Sequence, residues 1–182
     1  MIKVRPASCS EDYSWLIALA VDSVLFGVPS SRPASQVQER ARHSLANLEA
    51  TCSDGSVVAL IAWEGERRVG YLILQLEERD RFTGTAQSFI YDLAVERDRW
   101  GAHVVHRLVE QAARETARRG HRFMVGEVTF DNERTLVQAR RLGFVVERVR
   151  LGIGCGPEGR IPLQRQSDTA YTASRQKKTR PI

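Results

Sequence analysis

The chain has no apolar run approaching the ~20 residues that a membrane-spanning helix requires. Its first residues, Met1-Ile2-Lys3-Val4-Arg5, lack the apolar core of a secretory leader. Cysteine is scarce: Cys9, Cys52 and Cys155 are scattered and odd in number. That excludes a disulfide framework and offers no metal-ligand spacing, so reduced thiols in a cytoplasmic protein are expected. Internal repeats and dividing linkers are also missing. At 182 residues the chain fits one domain, large enough to bury roughly two-thirds of its unfolded surface.

Acid is almost absent from the last stretch. From Arg160 onward, Arg160, Arg165, Arg175, Lys177, Lys178 and Arg180 face Asp168 alone, which accounts for the net charge of +5. A basic tail poor in apolar residues is expected to be solvated and flexible. Binding of an anionic partner is the less favoured reading. No aromatic-studded RNA-binding sheet or recognition helix is legible, so nucleic acid is not expected as a partner, and neither is a membrane.

What is present is a regular alternation of elements. Ile2–Pro6 reads as a short strand, and Ser10 as the cap of a helix carrying Trp15, Leu16, Leu19 and Ala20. A loop over Gly27–Pro33 leads to a second helix over Ser35–Ala50 and a turn at Ser53-Asp54-Gly55. Ser56–Trp63 and Arg68–Leu76 form a hairpin about Glu64–Arg67, and Glu77–Thr85 is a polar connection. Next come an apolar strand (Phe89-Ile90-Tyr91-Asp92-Leu93-Ala94-Val95), a charged loop, and a helix striped with Val104, Val105, Leu108, Val109, Ala112, Ala113 and Thr116 that ends near Gly120. A strand over Phe123–Phe130, Asp131-Asn132, a helix over Glu133–Leu142 and Leu142-Gly143-Phe144 follow. Val145–Ile153 reads as a further strand, and Arg160–Leu163 as a last short one. The expected fold class is α+β: one mixed sheet with helices on both faces.

The order of these elements, with Leu93-Ala94-Val95 before the loop and Asn132 and Leu142-Gly143-Phe144 after the second core strand, resembles the GNAT superfamily of N-acetyltransferases. The resemblance covers about Ile2–Ile153. It implies a GNAT-like domain over 1–163 with a basic tail over 164–182, and acetyl-CoA as acyl donor. It also implies a donor site in the cleft between the two core strands. The main chain of Leu93, Ala94 and Val95 would bond the pantetheine arm and the acyl carbonyl.

A helix N-terminus suits a pyrophosphate because its amides and dipole favour anions, and glycine permits close approach. The family's loop reads Arg-Gly-x-Gly-x-Gly or Ala. Here the matching residues are Trp100-Gly101-Ala102-His103-Val104-Val105, and only Gly101 agrees. Protonated His103 facing a phosphate, or Arg97 or Arg99 supplying charge, would give binding with altered geometry. Alternatively His103 only begins the helix and binding is lost.

Transfer to an amine needs a base for the amine and an acid for the departing thiolate. In relatives that acetylate protein N-termini the base is a Glu five residues before the Asn, here Glu127. It is either that base or a solvated or paired strand residue. If partly buried, its pKa is expected to rise. Asn132 matches the family's pantetheine contact and also suits a helix cap. The position of the family's acidic Tyr is Ala139. Tyr91 and Asp92 are substitutes, on opposite faces if the strand alternates regularly. No metal site is expected.

Two functional readings follow. The first is an acyl-CoA-dependent N-acyltransferase moving acetyl directly to an unidentified primary amine on a small molecule or peptide, with a homodimer open. The alternative is a catalytically inactive GNAT-like module that binds a ligand or partner.

Overall fold

The computed structural model describes residues 1–101 and 103–151. Met1–Phe144 form one compact unit. In chain order this unit contains β1 (Ile2–Pro6), α1 (Ser10–Ser23), a 3₁₀ turn (Val24–Gly27), α2 (Val37–Leu45) and α3 (Leu48–Ser53). β2 (Val57–Glu64), β3 (Arg67–Arg79), β4 (Ala86–Val95), a 3₁₀ turn (Arg97–Arg99), α4 (Val104–Arg118), β5 (Met124–Gly126) and α5 (Glu133–Arg141) complete it.

The five strands lie in sequence order in one sheet. β1 to β4 pair antiparallel, and β4 pairs with β5 in parallel. Strand alternation sorts the apolar residues of β2 and β3 onto two faces. Ala59, Ile61, Tyr71 and Ile73, with Ala94 of β4, pack against Leu16 and Ala20 of α1, Leu45 of α2 and Leu48 of α3. Leu60, Ala62, Val69, Leu72 and Leu74 pack against Val104, Leu108 and Ala112 of α4. The expected mixed sheet with helices on both faces is therefore formed.

Several boundaries differ from the sequence reading. The single helix expected over Ser35–Ala50 is two. Gln36 sits in the left-handed region at φ 64 before α2, and Asn47 leaves helical geometry at φ −106, ψ 17 before α3. Ser10 does not cap α1. Cys9 holds the cap position without a side-chain bond, and Asp12, one turn in, accepts the Ser8 amide at 3.0 Å. β3 extends to Arg79, which shortens the expected connection to 80–85.

Residues 145–151 form neither helix nor strand, although a strand was expected over Val145–Ile153. An apolar run becomes a strand only when its ladder groups find a neighbour. The strand expected over Arg160–Leu163, the boundary at 163, the 164–182 tail, Cys155 and Ala102 lie outside the described residues. Among those described, no helix is long and apolar enough to cross a membrane, and no group of three or more His, Cys, Asp or Glu could hold a metal ion.

Candidate active site

The sheet opens between β4 and β5. Their pairing covers only Ser88↔Met124, Phe89↔Val125 and Ile90↔Gly126. β5 then ends, four residues short of the expected Phe130, while β4 runs on to Val95. The divergence coincides with a register shift in β4: Leu74 faces Ile90 and Ile73 faces Asp92, so Tyr91 is an extra residue, a β-bulge. The bulge interrupts the regular alternation on which opposite faces for Tyr91 and Asp92 were expected. Tyr91 is 46% exposed.

Past the bulge, the β4 groups facing away from β3 find partners inside the chain. The Glu96 amide bonds to Val69 O of β3 at 3.0 Å. By alternation, Val95 and Leu93 therefore turn their main-chain groups toward the side that β5 has left. The Leu93 N–H donates to Asp92 Oδ1 at 2.9 Å, and Val95 O accepts the Trp100 indole N–H at 2.9 Å. The second Asp92 oxygen accepts the Tyr71 hydroxyl at 2.6 Å. Burial pushes Asp92 above the usual carboxylate range, against the lowering effect of these two bonds. Burial, followed by the adjacent Asp92 charge, also raises Tyr71. Tyr71 is fully enclosed, so it reaches the cleft only through Asp92. The sequence reading missed it because its partner lies 21 residues away on another strand.

The loop before α4 departs from a glycine loop in a defined way. Gly101 has φ 91, and His103 takes the left-handed conformation at φ 60 as the residue before the helix. His103 is exposed and its side chain makes no capping bond. Val104 is buried in the core with Leu108, so its side chain is unavailable to a donor and only its main chain remains for that role. Val105 is half-buried. Trp100 packs edge-on against Phe26 with ring centroids 5.9 Å apart. The Arg134 guanidinium lies 3.9 Å over Trp100, and that of Arg97 5.5 Å from the Phe26 ring. Arg99, the other candidate cation, pairs with Glu64 at 2.8 Å.

The segment after β5 is tied back to the turn after α1. Thr129 Oγ1 donates to Gly27 O at 2.5 Å, the Asn132 side-chain amide donates to Phe26 O at 3.1 Å, and the Ser30 N–H donates to Asp131 Oδ2 at 3.0 Å. Asn132 Oδ1 accepts the Thr135 N–H at 3.2 Å, so Asn132 is the cap of α5. Glu127 lies just beyond the end of β5 and is exposed. The partial burial considered for Glu127 is not found. These contacts bring Trp100, Asn132 and the turn after α1 together at one end of the opening.

A strand that bulges and sheds its parallel neighbour is thus followed by a loop and a helix N-terminus. The model of the acetyltransferase (GNAT) family matches residues 27–144, well over half of the chain. The chain belongs to that family. It is accordingly an acetyltransferase by membership, and the fold agrees. The aminoglycoside acetyltransferase AAC(6')-Iy, solved in complex with a CoA-linked bisubstrate analogue, has a TM-score of 0.64 at 17% identity over 84% of this chain and 97% of its own. Glucosamine-6-phosphate N-acetyltransferase from Arabidopsis thaliana gives 0.59 at 15% identity over 84% and 97%. A transcriptional regulator from Bacillus halodurans C-125 gives 0.67 at 16% identity over 85% and 99%. At these identities the likeness is one of fold. No curated protein sequence is significantly similar to the chain.

Proposed function

We propose that this GNAT-family protein transfers an acetyl group from acetyl-CoA to a primary amine on a small molecule or peptide, by direct transfer. The observation that carries this reading is the parting of β4 and β5 beyond Ile90↔Gly126. It leaves a gap in the sheet with Glu127 at one lip and Asp92 at the other. The donor arm lies in that gap along Leu93, Ala94 and Val95, its phosphates toward the loop of Trp100, Gly101, Ala102 and His103 and the first turn of α4 at Val104 and Val105, with Asn132 alongside.

In the reaction the amine nitrogen loses a proton to Glu127 and its lone pair attacks the thioester carbonyl. The tetrahedral adduct collapses, the C–S bond breaks, and the CoA thiolate takes a proton. A burial-raised carboxyl such as Asp92 is suited to holding that proton, and Tyr91 at the bulge is the alternative donor. For the acyl carbonyl to take the Leu93 amide, it has to displace Asp92 Oδ1, and a protonated Asp92 releases that amide more readily. The acceptor class finds support in the neighbours named for acetylating aminoglycosides and glucosamine 6-phosphate.

A second reading is favoured by one observation. The outward Leu93 N–H and Val95 O are both taken by side chains of the same protein, as in a binding module that no longer accepts the donor. Calorimetric titration with acetyl-CoA, followed by an acetylation assay on a panel of amines, separates the two. Micromolar binding and turnover support the transferase, with Glu127→Gln lowering kcat/KM by about 10²–10⁴-fold, the scale of a lost general base. No binding at millimolar acetyl-CoA overturns it in favour of the module.

A further inference from the structure

Four arginines surround the loop before α4, and they divide into two kinds. Arg67 pairs with Glu96 and with Asp98, the latter at 2.8 Å, and Arg99 pairs with Glu64. Their charge is spent on acids. Arg97 and Arg134 are exposed, and among the described residues neither has a carboxylate within ion-pair distance. Each is held on an aromatic ring instead, Arg134 over Trp100 and Arg97 over Phe26, and the two rings touch each other.

Attraction to an aromatic face leaves the N–H groups of a guanidinium available for recognition of phosphate. It also fixes the side chain's rotamers in advance, which lowers the ordering cost of binding. The platform is itself anchored. Trp100 is fixed through its indole N–H to Val95 O. Phe26 is fixed through its carbonyl to Asn132, whose Oδ1 caps the helix that carries Arg134. Two cations without an ion-pair partner among the described residues thus sit on an anchored aromatic pair, one member of which, Trp100, lies four residues before α4, whose dipole favours anions at that end.

We propose that Arg134 and Arg97, seated on Trp100 and Phe26, are the ligands of the donor's phosphate groups. They would supply by side-chain charge what a glycine loop supplies by main-chain amides. The inference rests on the acyl-CoA reading above and names residues that the glycine-loop pattern does not contain. Trp100, which stands where the family has its loop arginine, is then the platform for an arginine brought from α5. His103 and Val105 become tolerable because close backbone approach is no longer the main source of affinity.

The test is calorimetry on the full chain and on the Arg134→Ala, Arg97→Ala and Arg134→Lys proteins. The probes are acetyl-CoA, its headgroup adenosine 3′-phosphate 5′-diphosphate, and S-acetylpantetheine, which has no phosphate. The expected result is a loss of about tenfold or more in affinity for acetyl-CoA and for the headgroup with each alanine, the scale of a charge-assisted bond. Partial recovery is expected with lysine, and the affinity for S-acetylpantetheine should not change. Unchanged headgroup binding in both alanine proteins would overturn the inference while leaving the donor reading intact. Equal losses with all three probes would also overturn it, because a structural role weakens the phosphate-free probe too. Headgroup binding that needs both arginines, with no binding of acetyl-CoA, would sink the donor reading and, with it, the assignment of the arginines to a donor. If the parent protein binds neither, both fail.

Discussion

The two sides of β4 follow opposite rules. Toward β3, the strand is paired from Ala86 to Val95 and backed by Leu72, Ile73 and Leu74, all essentially without exposure. Toward β5, it is paired for three residues, after which its main-chain groups turn to the side chains of Asp92 and Trp100. α5 has no buried residue. Stability is concentrated on one side, and chemistry can be placed on the other because little packing has to be disturbed there. The difference also explains why substitutions in the loop before α4 are compatible with an intact fold.

The largest contrast should come from shortening an apolar side chain on each side. Leu72→Ala, in a fully buried site against α4, is expected to cost about 2–5 kcal/mol. Val128→Ala, beyond the end of β5 and half-exposed, is expected to stay within about 0.5 kcal/mol. Urea denaturation measures both, and a comparable loss in the two would erase the distinction.

Next in size is Asp12, buried on α1, which accepts the Ser8 amide and Arg68 Nε at 2.8 Å from β3. Burial alone would raise its pKa, but the Ser8 and Arg68 bonds outweigh it and hold the carboxyl below the usual range. With the folded value depressed, the contribution is present above the unfolded value near 3.9 and is lost as pH falls through the folded value. Asp12→Asn is expected to cost about 2–3 kcal/mol at neutral pH, because Arg68 remains partly solvated. The cost should shrink toward zero in acid, as stability measured from pH 7 down to pH 2 would show. A cost that stays constant across that range would mean the pair contributes nothing through its charge.

Two glycines provide the finest comparison. A Cβ on Gly70 of β3 would lie 3.0 Å from Val104 Cγ1 and 3.1 Å from Ala94 O, whereas one on Gly126 of β5 would meet Ile90 Cβ at 3.4 Å. Gly70→Ala should destabilise by about 1–3 kcal/mol, since a backbone oxygen cannot give way cheaply. Gly126→Ala should change stability by less than about 0.5 kcal/mol. Thermal melting of the pair decides it, and equal effects would mean that β5 is packed as tightly as β3.

Legibility in the sequence followed the same division. The hairpin of β2 and β3 and the apolar stripe of α4 declare themselves through local periodicity, and the structure forms both. The brevity of β5 could not be read from Phe123–Phe130, because it depends on the bulge at Tyr91 in a different strand. The break at Asn47 hides inside a good helical pattern, since a polar residue on a wet face looks the same whether the helix continues or stops. The resemblance carried by Leu93-Ala94-Val95, Gly101 and Asn132 located the opening. It could not foresee that Asp92 and Trp100 would occupy the strand's free groups. Nor did the mismatched loop suggest Phe26 or Arg134, which meet Trp100 from segments far away in the chain. An aromatic at the position of a loop arginine was a signal, but it named no partner.

The three hydrogen bonds joining the turn after α1 to the segment after β5 span 101, 102 and 106 residues of sequence. Contacts that close so long a loop bear a large entropic cost and are rewarded only after the intervening chain has ordered. In refolding, the sheet and α4 should therefore be native before Gly27 meets Thr129. In the native ensemble the same contacts should be the first to part. The Ser30 amide should exchange with deuterium through brief local excursions, while the Leu72 and Ile73 amides wait for whole-molecule unfolding. The end of the molecule where the donor's phosphates would dock is thus the last part to be built.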